Sequence, residues 1–274
     1  MEQSRYVHGY SGREAIRLKD QADTLEEIIH NDTLFPNGSR VLEAGCGVGA
    51  QTRIIAPKNP QTEFISVDIS EASLTEARQM VHSSGIDNVE LRQADIYDLP
   101  FGDGFFDSVI ICFLLEHLDG PQRALTEMIR VVRNGGTVIA IEGDHGSTFF
   151  HPDSQSAQSA IDCLIQLQRQ DGGNANIGRA LYPLLRSAGL SDVSVTPRMV
   201  YADTSRPGLV EGFIKNTFTA MVEGIGDRAI KEGMTDRRTF EQGGRDLYRT
   251  AEPDGVFIYT FFKGRGTRKI KPDK

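Results

Sequence analysis

One segment, Glu43-Ala44-Gly45-Cys46-Gly47-Val48-Gly49-Ala50, constrains this chain more than any other. It follows a short apolar run, Arg40 to Ala44, and opens a helical pattern from Ala50 to Ala56. Glycines between a strand and a helix permit a tight turn and let a ligand approach the backbone. The same rhythm then repeats. Phe64 to Val67 reads as a second strand, ended by Asp68. Ser70 is placed to cap the next helix, Glu71 sits where the helix dipole favours an acid, and Leu74, Ala77 and Val81 form the apolar stripe. Val89 to Leu91 reads as a third strand, Phe105 to Phe113 as a central strand buried on both faces, and Thr137 to Ile141 as another. Asp119 is expected to cap the helix that starts at Pro121, and Asn134-Gly135-Gly136 to end it. Repeated β-α units of this kind predict a parallel α/β sheet.

Outside this core lies an amphipathic helix, Arg13 to Ile29, with Leu18, Ala22, Leu25 and Ile29 on one face. Beyond the core, helices are expected over Pro152 to Arg169, Ile177 to Ser187, Pro207 to Glu223 and Thr235 to Thr250. Strands are expected from Val193 to Met199 and from Val256 to Phe262. No composition shift marks a linker, so residues 1–274 read as a single domain. It carries an N-terminal lid and helix (1–31) and helical cap insertions at 151–171 and 204–251. Residues 1–12, with Gly9 and Gly12, are expected to close as the lid.

Composition removes several function classes. The net charge of −8 supplies no bulk basic footprint for duplex nucleic acid, which argues against such a partner. The one basic cluster, Lys263 to Lys274, reads as a solvated tail. No run of eighteen apolar residues is present, so no membrane span is expected, and the first twenty residues lack the apolar stretch of a secretion signal. Cys46, Cys112 and Cys163 are odd in number and far apart, which suggests neither a disulfide framework nor a zinc ribbon. They read as packing residues in a reduced, cytoplasmic protein.

The glycine loop fits two ligands. Gly45, Gly47 and Ala50 satisfy the dinucleotide spacing G-x-G-x-x-A, and Asp68 stands where a ribose-binding acid belongs, so a nicotinamide-dependent oxidoreductase is one reading. Glu43 favours the other. A carboxylate at the mouth of the loop repels a pyrophosphate and attracts an ammonium or a sulfonium. Asp95, in Gln93-Ala94-Asp95-Ile96, adds an acid after the third strand. The three acids then line the crevice at the carboxyl ends of successive strands.

Taken in order, these segments resemble the class I S-adenosylmethionine-dependent methyltransferases, most closely the small-molecule branch of quinone and sterol methyltransferases. The resemblance covers Arg40 to Glu142 and includes Phe106-Asp107-Ser108-Val109, Leu115-Glu116-His117-Leu118 and Arg133-Asn134-Gly135-Gly136. It implies a Rossmann-like, doubly wound, seven-stranded α/β sheet, mostly parallel with an antiparallel last strand, plus a helical cap. It also implies S-adenosyl-L-methionine as cofactor. Gly45, Gly47 and Gly49 would shape the methionine side, Asp68 would accept from the ribose hydroxyls, and Asp95 would hold the adenine amino group. Ile69 would pack on the adenine face near the Ile96 backbone. The Cys112 and Phe113 backbone would face the methionine ammonium, with Tyr10 and Gln21 as candidates for its carboxylate.

His117 is a candidate general base beside the acceptor. Glu142, Asp144 and His145 follow the fifth strand and, with His151, lack a standard metal spacing, so they read as a polar pocket wall. Glu142, His145 and Tyr201 are the candidate substrate contacts, and Phe213 and Phe218 read as core. The function expected is methyl transfer to a small organic molecule. The alternatives are a tRNA or rRNA methyltransferase, the oxidoreductase, and a cofactor-binding regulator without catalysis.

Overall fold

The computed structural model describes residues 12–269, with side chains described from Arg17 onward. Tyr10 and all of the expected lid segment 1–12 except Gly12 lie outside the described residues. Helix α1 (Gly12–Ile29) is followed by β1 (Arg40–Ala44), α2 (Thr52–Lys58), β2 (Glu63–Asp68), α3 (Glu71–Ser83), β3 (Val89–Gln93), β4 (Phe106–Cys112), α4 (Pro121–Val131) and β5 (Val132–His151). The remainder comprises α5 (Gln155–Gln170), α6 (Leu181–Ser187), β6 (Ser191–Ala202), α7 (Pro207–Leu209), α8 (Ala220–Gly224), α9 (Gly226–Lys231), α10 (Arg237–Arg249) and β7 (Val256–Thr267). The seven strands form one sheet in the order β3-β2-β1-β4-β5-β7-β6. β1 to β5 pair in parallel, and β7 runs antiparallel to both neighbours, as the resemblance implied. Chain order reverses direction across the sheet between β1 and β4, where such folds open a ligand crevice.

Local chemistry explains most boundaries. Ser70 Oγ accepts the Ser73 N–H at 3.2 Å and starts α3. β4 is buried along nearly its whole length and separates two apolar layers, one around Ile110 and Ile139, the other around Val109 and Ile111. Four expectations need correction. Asp119 does not cap α4: Gly120 holds that position with no side-chain cap, and Asp119 accepts from the Tyr97 hydroxyl at 3.3 Å. β5 does not stop at Ile141 but continues to His151, because β7 gives it a second ladder. The segment Pro207 to Glu223 is not one α-helix: Val210–Thr219 is a π-helix between two short α-turns. The residues from Lys263 to Arg268 are not a solvated tail, because β7 extends to Thr267 and pairs with β6 as well. Arg268 then closes onto the turn before β5, donating to Arg130 O at 2.6 Å.

Lys263 shows why this stretch is ordered. Its ammonium, 8% exposed, donates to Asp32 Oδ1 at 2.6 Å, Thr33 Oγ1 at 2.7 Å and Ile29 O at 3.2 Å. A cation is favoured at the C-terminal carbonyls of a helix, and here it ties α1 to β7. The chain of donors continues: Thr33 Oγ1 lies 3.0 Å from His30 Nδ1, and His30 Nε2 lies 2.7 Å from Gln51 Oε1. Because the amide oxygen only accepts, Nε2 carries the proton and Nδ1 accepts from Thr33. Burial lowers the His30 pKa from 6.5 to about 4, despite the opposing hydrogen bond that Nε2 donates to Gln51.

Two predictions concern this strut. Lys263→Met leaves Asp32, Thr33 and the Ile29 carbonyl short of a donor and is expected to cost about 1–3 kcal/mol, measured by urea unfolding. His30 is neutral in the fold and binds a proton more readily when unfolded, so its contribution is full above about pH 6.5 and is lost as pH falls toward 4. His30→Gln is expected to flatten the stability profile across that window.

Candidate active site

The glycine loop crosses the tip of the sheet on left-handed backbone. Gly45, Gly47 and Gly49 have φ of +73°, +53° and +80°. A Cβ at Gly45 would lie 2.8 Å from Leu114 Cδ2, whereas one at Gly47 would meet only open space. The loop therefore packs against the exit of β4 at one glycine and faces the crevice at the next. Asp68 holds it there: Oδ2 accepts the Gly47 N–H and Oδ1 the Ser70 N–H, both at 2.9 Å. Burial raises the Asp68 pKa, and these backbone donors pull it back.

The other acids occupy different depths. Glu43 is buried under the loop, where Oε2 accepts from Ser66 at 2.6 Å and Thr52 at 2.7 Å. Burial is the main cause raising its pKa, and the Asp68 charge adds to it. Asp95 is exposed and accepts the Tyr97 N–H at 2.8 Å. The Ala94 N–H donates to Asp68 O at 3.1 Å, which sets the tips of β2 and β3 side by side. Ile69, 61% exposed, stands between these two acids in chain order, and Ile96 packs into the core below.

Phe113 turns the corner after β4. Its φ is +55°, uncommon for a bulky side chain, and such strain collects at functional sites. Its N–H donates to Ile141 O at 2.9 Å, and its ring packs 5.4 Å from that of Phe261. Cys112, just before it, is buried, which pushes its thiol well above the ordinary range. Behind Phe113 lies a partly open pocket of about 520 Å³, a volume that includes its mouth. α1, the turn Leu115–His117, β5, β7 and the π-helix all contribute to its wall.

Of the residues singled out from the sequence, Gln21, Phe113, His117 and His145 meet in this pocket. Gln21 accepts from Arg17 at 3.1 Å, and His117 Nε2 lies 3.7 Å from Glu116 Oε1. Glu142 does not line it. Fully buried beneath, Glu142 accepts the N–H groups of Leu115 at 2.8 Å, Leu114 at 3.2 Å and Glu116 at 3.4 Å. Burial, then the neighbouring Glu116, raises its pKa well above the usual carboxylate range. Tyr201 is also elsewhere, on β6 with Arg206 5.7 Å from its ring centroid. Asp144 is taken by Arg179 in a bidentate pair at 2.7 Å. Arg17, Tyr259 and Phe261 line the pocket without having been singled out. Tyr259 lies in the expected last strand, but which face of that strand meets the pocket depends on β5 register. Phe213 and Phe218 are core residues that form pocket wall as well.

Comparison with known proteins agrees with this geometry. The model of a methyltransferase domain family matches residues 42–140. A phosphatidylethanolamine N-methyltransferase of Cereibacter sphaeroides is 38% identical over 105 residues, covering 38% of this chain and 50% of that protein. A 37.1 kDa protein of a Streptomyces fradiae transposon is 30% identical over 194 residues, covering 68% of this chain and 54% of that protein. The chain thus spans about half the length of these relatives. A Haemonchus contortus phosphoethanolamine N-methyltransferase solved with S-adenosyl-L-methionine shares the fold, with a TM-score of 0.55 at 18% identity, over 92% of this chain and 53% of that one. Residues 42–140 thus carry a methyltransferase domain, and the sheet that holds them has the Rossmann-like fold of the solved methyltransferases.

Proposed function

We propose that the protein transfers a methyl group from S-adenosylmethionine to a small organic acceptor. The observation that carries this reading is the adjacency of two cavities. An acid-lined crevice over the glycine loop meets, at Phe113, a partly open pocket walled by aromatic rings. The residues present fit the cofactor. Gly47 leaves room at the loop, and Ile69 offers an exposed apolar face beside Asp68. Each Asp68 oxygen accepts one backbone N–H, and each has a second lone-pair site that a ribose hydroxyl can use. Asp95 would take the adenine amino group. The Phe113 N–H is already bonded, so the corner offers an ammonium its carbonyl oxygens. Glu43 is buried under the loop and not, as expected, at its mouth, so the case against a dinucleotide rests on Asp68, beside which further negative charge is repelled.

Bound here, the cofactor supplies an electrophilic methyl carbon. The chain's task is to align the acceptor with it and to exclude water. Phe213, Thr217, Phe218 and Met221 line the pocket, and residues of α5 and α10 pack behind them in one apolar cluster, which supports reading these helices as a cap that sets specificity within a single domain. A concave pocket lined by aromatic rings and a net charge of −8 favour a metabolite over RNA. Among the described residues no helix is long and apolar enough to cross a membrane, and the three cysteines are free and buried. Free, buried thiols suit a reducing compartment such as the cytoplasm.

Two measurements test this reading. Isothermal titration is expected to show binding of S-adenosylhomocysteine and none of NAD; the reverse pattern overturns it. Asp68→Ala removes charge-assisted bonds of about 1.5–3 kcal/mol and is expected to weaken S-adenosylhomocysteine binding about tenfold or more. Unchanged affinity in the folded variant would remove Asp68 from the site.

A further inference from the structure

The pocket behind Phe113 contains a buried polar pair that the cofactor cradle does not use. His145 Nδ1 lies 2.7 Å from Tyr259 Oη, and both residues line the pocket. The sheet builds this pair deliberately. β5 and β7 are in register through Asp144↔Thr260 and resume at Phe149↔Ile258, so residues 145–148 bulge opposite Tyr259 alone. Bulges re-aim side chains and recur beside active sites. The His145 N–H donates to Ala175 O at 2.9 Å, and its carbonyl accepts from Thr148 Oγ1 at 2.7 Å, which fixes the backbone. Gly143 makes the space, since a Cβ there would clash with Tyr259 Oη. The rings of Tyr259 and Phe218 flank the imidazole at 5.8 Å and 6.1 Å.

The surroundings define what the pair can do. Burial lowers the His145 pKa, so the imidazole is neutral and able to accept a proton. Glu116, on the turn after β4, favours its protonated form, while His117 on the same turn and Arg17 on α1 oppose it. On β7, burial keeps the Tyr259 phenol protonated. On β5, Asp144 is bound to Arg179 and Glu142 to backbone N–H groups. The π-helix presents Phe213, Thr217 and Phe218, none of them titratable. Rings on several sides suit a flat apolar body. A permanent cation would meet Arg17, and the wall carboxylate Glu116 is already engaged by Gln168 at 3.2 Å and His117 at 3.7 Å. An aryl hydroxyl enters neutral and carries a proton to give.

Resting on the methyl-transfer reading above, we propose that His145, oriented by Tyr259, takes the proton of an aryl hydroxyl acceptor seated in this pocket. The acceptor oxygen forms a bond to the methyl carbon as the methyl–sulfur bond breaks, and sulfur keeps that electron pair as the neutral thioether of S-adenosylhomocysteine. The hydroxyl proton passes to His145 Nε2. The resulting imidazolium donates Nδ1–H to Tyr259 Oη and later releases its proton to solvent. His145 is the catalytic residue of this step and Tyr259 a positioning residue.

The test uses the full chain saturated with S-adenosylhomocysteine. Calorimetry comes first, so that failure of cofactor binding counts against the methyl-transfer reading and not against the pair. The probe is 4-nitrophenol, whose phenolate absorbs visible light, with nitrobenzene as the analogue lacking the hydroxyl. At a pH where the free probe is mostly undissociated, the bound probe is expected to be enriched in phenolate by about tenfold, the effect of one close charge partner. His145→Gln is expected to abolish the enrichment. Tyr259→Phe, which removes only the hydroxyl, is expected to reduce it severalfold and to leave nitrobenzene affinity unchanged. Three outcomes overturn the proposal: neither probe binds the loaded protein, the bound probe titrates as it does in solution, or the enrichment survives His145→Gln while nitrobenzene still binds.

Discussion

A buried carboxylate holds the corner on which both cavities depend. Glu142, midway along β5, accepts three successive N–H groups from Leu114, Leu115 and Glu116. Those residues form the turn that leaves β4, and without an acceptor their N–H groups would be buried and unpaired, at a cost of about 1–3 kcal/mol each. The turn decides two things at once. On one side it sets Leu114 against Gly45, so the glycine loop has a wall to pack on. On the other it places Glu116 and His117 in the pocket. Phe113 sits at the pivot in strained backbone, which such a tightly bonded corner can sustain.

The first half of this architecture was legible in the residues. Strand and helix alternation, the glycine loop and the acids at Asp68 and Asp95 each follow from short-range patterns, because a parallel strand buried on both faces and a capped helix leave local signatures. The second half was less so. β5 and β7 extend past their apolar runs because they pair with each other, and ladder pairing between residues about a hundred positions apart leaves no local trace. Lys263 reads as a tail residue by composition and is buried because Asp32, Thr33 and a helix end meet it. Asp119 has the composition of a cap but is drawn to Tyr97 instead.

The candidate site divides the same way. Motif residues that act through backbone geometry, such as Gly45 and Asp68, stand where the spacing put them. Glu142 has the right location for a pocket acid, yet its carboxylate points to backbone donors, a choice that spacing does not encode. Tyr201 and Tyr259 are both tyrosines on late strands. Register against β5 brings only the second to the pocket, through a bulge of four residues facing one. The π-helix is similarly silent in the sequence: Gly212 lets it press on α1, where any Cβ would clash with Thr24.

The position of β7 between β5 and β6 has a consequence for how the molecule is made. β6 has no partner in the sheet except β7, and the outer edge of β5 is covered by β7 alone. A growing chain can therefore assemble the cofactor crevice, with the Glu142 corner that holds it, once β5 has been made. It carries two open strand edges until the residues past Val256 have been made. The same late strand supplies Tyr259 and Phe261. On the proposed function, the crevice for the methyl donor would then be complete before the pocket for the methyl acceptor.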